Sequence, residues 1–169
     1  MTEPSEIAGP EPVSGTIDAI ARGLAILGGA VMLCASAMVT LSVILRWLRN
    51  DGIQGDFEMM QIATAVGVFC FLPLCQLRRG NVFVDTFTQR APEAFNRWID
   101  ALWDLVFGGF AGLIAWRLSL GAMDAIQSRT TSMVLGIPVG WAIALTAALA
   151  GFLCVVCLFT AIKRVQVPA

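Results

Sequence analysis

The chain has 169 residues, a formal net charge of -1, 14% charged side chains and 57% hydrophobic ones, whereas an average soluble domain carries roughly 25% charged residues. A globule of this size cannot hide that apolar surplus in one core, so an all-α polytopic membrane protein is predicted, with lipid covering the remainder. The near-neutral charge excludes the electrostatic footprint of a nucleic-acid binder, and the absence of histidine removes the usual haem and zinc ligand and the commonest acid-base group near neutrality.

Residues 1–16 are rich in Pro, Glu, Ser and Gly and contain no basic residue; they read as a mobile tail ahead of a membrane domain over 17–169. An acidic leader followed by an apolar run of full spanning length does not fit a secretory signal, which needs a basic start and a short apolar segment. The first span is predicted over 23–45, 23 uncharged residues bracketed by Arg22 and Arg46, about 34 Å long as a helix. The second is predicted over 59–77, with Asp56 and Glu58 at the positive end of the helix and Arg78, Arg79 and Gly80 at the negative end, where cations and a glycine stop suit the dipole.

The longest uncharged stretch of the third segment, Leu105 to Trp116, has 12 residues, too few to cross unaided. It therefore belongs to a longer helix. Glu93, Arg97, Asp100 and Asp104 recur at helical spacing on one face, and Phe95, Ile99, Leu102 and Val106 on the other, which predicts an amphipathic helix over about 92–104. Pro92 suits its first turn, Trp98 and Trp103 suit the headgroup belt, and the helix is expected to run from the membrane surface into a span over 101–125. In the fourth segment Gly136-Ile137-Pro138-Val139-Gly140 interrupts 33 uncharged residues, so a turn or kink is expected there, with the span proper over 141–162. Four transmembrane helices result, the third led in by the amphipathic helix.

Seven basic residues, Arg22, Arg78, Arg79, Arg90, Arg97, Lys163 and Arg164, fall on one side of this topology, and four, Arg46, Arg49, Arg117 and Arg129, on the other. By the positive-inside rule both termini are expected in the cytoplasm.

The five cysteines all lie in apolar segments, where a thiol behaves as a small hydrophobe; Cys154-x-x-Cys157 is read as packing, since redox or metal use needs an accessible, electropositive setting. Glu58 is the first candidate for chemistry, because carboxylates near a membrane are common proton or cation sites. Its position before the apolar run favours a helix-start or subunit-interface role. Arg117 and Asp124 lie seven apart on one face with Gly121 between them, either sharing a polar groove or sitting separately at an interface where arginine can snorkel. Gly108-x-x-x-Gly112, Ala63-x-x-x-Gly67 and Ala147-x-x-x-Gly151 allow close helix approach, within the chain or against another. No catalytic residue and no metal-ligand set is read from the sequence.

The residues from Arg46 to Trp141 resemble the small membrane subunit of tripartite ATP-independent periplasmic (TRAP) transporters, the DctQ family. The resemblance rests on Arg46 and Asn50 after the first span, and on Asp56 and Glu58 opening the second. It rests further on Leu77-Arg78-Arg79-Gly80-Asn81-Val82-Phe83-Val84-Asp85, and on Thr131-Ser132-x-x-Leu135-Gly136-Ile137-Pro138 followed by Trp141. Two positions depart from the family pattern: Gly55 stands for a tryptophan and Asn81 for a histidine.

The resemblance implies a non-enzymatic subunit of the bacterial inner membrane that braces a large, sodium-coupled membrane subunit of DctM type during organic-acid uptake. It implies membrane lipid and a periplasmic substrate-binding protein as further partners and no nucleic acid. No cofactor is expected in this chain; sodium ions are expected in the large partner. Family-motif and interface candidates are Arg46, Asn50, Asp56, Glu58, Arg79, Gly80, Asn81, Asp85, Gly136 and Pro138. Candidates for docking the binding protein are Arg49, Asp51, Asp56, Arg117, Asp124 and Arg129. The competing expectation is an autonomous four-helix proton-coupled exporter acting as a dimer, with Glu58 as proton carrier.

Overall fold

A computed structural model describes residues 15–78 and 93–166, with side chains over 15–78, 98–99 and 101–163. The described residues form four α-helices: α1 Gly15–Arg49, α2 Asp56–Leu77, α3 Glu93–Gln127 and α4 Val139–Gln166. All four are long and apolar enough to cross a membrane, and the fold is all-helical.

Helix α1 begins at Gly15, so Gly15 and Thr16 belong to the helix and not to the expected tail, and the helix starts eight residues before the expected span. The reason is local. Asp18 lies in the first turn, where the dipole favours an anion, and it accepts a 2.6 Å bond from Arg22 one turn on, an i,i+4 pair that supports an exposed helix start. Helix α3 is continuous from Glu93 to Gln127, so the segment expected to be amphipathic runs into the third span without a break. Helix α4 starts at Val139, directly after Pro138, whose ring and missing N–H disfavour a place further inside the helix.

Helix α1 packs on α2, α2 on α4 and α4 on α3, which sets the order α1, α2, α4, α3 across the bundle. The central pair has 33% and 39% of its apolar window buried, the flanking pair 17% each, so the flanks are left to lipid or to other proteins. Where helices cross, small residues set the distance. A Cβ on Gly28 would stand 2.6 Å from Cys70 Cβ, and one on Gly67 2.7 Å from Met32 Cγ. Between α3 and α4, Gly108 approaches Cys157 and Gly112 approaches Cys154 in the same way. Two of the small-residue patterns are thus consumed inside the chain, and both cysteines of the C-x-x-C sequence serve as packing partners. Gly151 of the third pattern has nothing within 4 Å of its would-be Cβ.

The two loops 50–55 and 128–138 share one end of the bundle, here called the loop end. The opposite end holds the start of α1 and the end of α4.

At its start, α3 is rotated opposite to a soluble amphipathic helix. Asp104 is fully buried and accepts a 2.7 Å bond from Gln76 Nε2, which also reaches Thr160 Oγ1 at 3.4 Å, while Leu102 and Val106 face outward. Lipid reverses the usual preference: the apolar face solvates well outside, and a carboxylate goes where hydrogen-bond donors are.

Candidate functional site

Two carboxylates stand two residues apart in the first turn of α2, and each holds a different part of the chain. Asp56 turns back to α1. Ser42 Oγ donates to its Oδ2 at 2.6 Å, the Phe57 N–H donates to its Oδ1 at 2.8 Å, and the Arg46 guanidinium lies 3.5 Å away. Ser42 is itself buried and accepts a 3.1 Å bond from the Ile53 N–H, so helix α1, the 50–55 loop and helix α2 meet at one hydroxyl. Asn50 ends α1 with φ 55, a left-handed conformation that Asn adopts more readily than most L residues.

Glu58 turns the other way, to the loop between α3 and α4. Ser132 Oγ donates to its Oε2 at 2.7 Å, the Leu135 N–H to the same oxygen at 3.1 Å, and the Val134 N–H to Oε1 at 2.9 Å. The loop is also closed on itself. Thr131 and Pro138 form an isolated antiparallel bridge, the Ser132 N–H donates to Ile137 O at 2.9 Å, and the Val139 N–H donates to Thr130 O at 3.2 Å. Gly136 supplies the turn with φ 65.

Gly55 joins the two halves. Its φ of 80 lies in the left-handed region, and the Leu135 side chain fills the space where a Cβ would stand. A glycine is therefore required on both counts. Beyond this clasp Met133 is 99% exposed and Val134 58%, an apolar loop tip held in a fixed position by hydrogen bonds beneath it.

One family's sequence pattern matches residues 35–167: Tripartite ATP-independent periplasmic transporters, DctQ component. The chain belongs to the DctQ family. No curated protein and no solved structure matches it significantly. The DctQ match runs from the middle of α1 to the end of α4 and makes the chain a multi-pass component of a TRAP transporter, a family of transport proteins and not of enzymes.

In this DctQ chain the family-motif candidates Arg46, Asn50, Asp56, Glu58, Gly136 and Pro138 come together in the clasp at the loop end. Arg79, Gly80, Asn81 and Asp85 lie outside the described residues. The docking candidates separate. Arg49, Asp51, Asp124 and Arg129 are exposed at or near the loop end, whereas Asp56 is engaged with Ser42 and Arg46. Arg117 sits on the flank of α3, ten residues before Gln127, about 15 Å along the axis. Among the described residues Arg117 and Asp124 form no ion pair.

The sequence reading leaves out Ser42 and Gln76 altogether, and it names Ser132 within a family motif and Asp104 on a polar helix face without the bonds they make. Ser42 is a small residue in a run where serine is unremarkable. Gln76 carries a signal, being an amide near the end of an otherwise apolar run that asks for a partner inside the membrane.

Proposed function

We propose that this chain is the fixed small subunit that braces the large sodium-coupled membrane subunit of a TRAP transporter and presents its loop end to the periplasmic substrate-binding protein. The observation that carries this reading is the clasp. Asp56 and Glu58 bind both loops to one helix turn, and a surface so held can receive a soluble partner without ordering itself first. The sparsely buried flanks α1 and α3 fit a protein that packs sideways against a larger membrane partner. Both termini then face the cytoplasm, in keeping with the basic residues near the terminal end. The substrate is an organic acid handled by the partners, and sodium binds in the large subunit.

Affinity purification in mild detergent is expected to co-isolate a much larger hydrophobic protein; a clean homodimer would remove the reading. Charge reversal at Arg49, Asp51, Asp124 and Arg129 together is expected to lower uptake several-fold with complex assembly unchanged. Wild-type uptake in that variant would remove the docking role and leave the brace.

A further inference from the structure

Helices α3 and α4 run antiparallel in a register that sets Gly108 against Cys157, Gly112 against Cys154 and Ile126 against Gly140. The same register sets Arg117 level with Leu149, near the middle of the α4 span Val139–Lys163. It also sets Trp103 level with Lys163 and Trp141 level with Ala125. These two tryptophans, each at least half exposed, mark headgroup belts about 33 Å apart, close to the thickness of a hydrocarbon core. Arg117 lies about 12 Å inside the nearer belt, further than an arginine side chain reaches by snorkelling.

Its direction is as informative as its depth. The packed face of α3 is marked by Asp104, Gly108, Ala111 and Ala122. Val106, Phe110, Leu113, Arg117 and Gly121 recur at steps of four, three, four and four on the face turned away from the bundle, all exposed or nearly so. Among the described residues no carboxylate lies within 4 Å of Arg117. An arginine at this depth facing acyl chains is strongly disfavoured, and such residues pair with an opposite charge in protein.

We propose that this face of α3 seats a helix of the large membrane subunit and that the seated helix presents a carboxylate to Arg117 inside the bilayer. The inference rests on the small-subunit reading and adds the contact surface and its chemistry. A second copy of this chain does not fit, because two copies related by an axis along the membrane normal set Arg117 against Arg117 at equal depth.

The test uses the intact complex from its native membrane. A photo-crosslinking residue at Leu113 or Gly121, with Arg117 retained, is expected to capture a peptide of the large subunit that contains an Asp or Glu within a membrane span. Arg117→Glu is expected to reduce co-purification of the large subunit at least tenfold, and Arg117→Lys to retain most of it. Converting the captured acid to Lys or Arg is expected to restore the Arg117→Glu complex. Monodisperse behaviour of the isolated Arg117→Glu subunit confirms that it folds.

Undiminished co-purification with Arg117→Glu would overturn the proposal, as would crosslinks to lipid alone, to the binding protein or to a second copy. If the wild-type chain isolates no large subunit, the small-subunit reading fails with it; if the wild type does so and the Arg117 variants do equally well, the assignment of this face alone fails.

Discussion

Glu58 and Gly55 are the two residues on which the loop end depends most directly, for different physical reasons. Glu58 offers two oxygens to three donors, two of them backbone N–H groups, and an amide in its place presents one acceptor and an unwanted NH₂ donor. Glu58→Gln is therefore expected to raise the hydrogen-exchange rate at Val134 and Leu135 with little change in helices α1 and α2; unaltered exchange would show that the loop holds itself. Gly55→Ala meets both a left-handed backbone, costing about 1–2 kcal/mol, and the Leu135 side chain. Leu135→Ala in the same chain is expected to recover the steric part only. A thermal-melting cycle over the four variants separates the two contributions.

Among the helices, the close crossings distinguish glycines that look alike in sequence. Gly67→Leu drives a side chain into Met32 across the α1–α2 contact and is expected to cost about 1–3 kcal/mol as overpacking. Gly109→Leu enters open space and is expected to leave the melting temperature of the isolated subunit unchanged. Gln76→Leu withdraws the 2.7 Å donor from buried Asp104 and is expected to destabilise by about 1–3 kcal/mol, read by the same melting assay.

The first, second and fourth spans were legible because runs of about twenty apolar residues have few other uses, the third only through the helical spacing that extends its 12-residue uncharged stretch, and the turn before α4 was legible from Gly136 and Pro138. The rotation of α3 was not. Periodicity shows that Leu102 and Val106 share a face opposite Asp104, but only the solvent decides which face turns inward, and lipid decides differently from water. The clasp was half legible. The dipole argument places Asp56 and Glu58 at a helix start, yet nothing local indicates that Glu58 bonds residues 74 to 77 positions away.

At the scale of the molecule, the order α1, α2, α4, α3 makes a broad body with two weakly buried flanks. The proposed brace needs this shape more than a tight bundle does, since it would offer side surface to a partner while remaining solvated by lipid. The proposed orientation can be checked in a background where the five native cysteines are alanine. Arg129→Cys is expected to react with an impermeant maleimide in whole cells, and Lys163→Cys only after the membrane is opened; the reverse pattern would invert the topology.

One geometric detail also bears on biosynthesis. Ser132 lies 74 positions after Glu58, so a nascent chain that has inserted only its first hairpin has not yet made the donors that this carboxylate binds. The bonds to Ser132, Val134 and Leu135 can close only after the third helix and the loop that follows it have been made. Synthesis beyond the third helix is thereby registered at residue 58. A polypeptide stopped after Gln127 is expected to be degraded faster than the full-length protein in pulse-chase labelling, with its first two helices opening more often at the end that Glu58 would otherwise fasten.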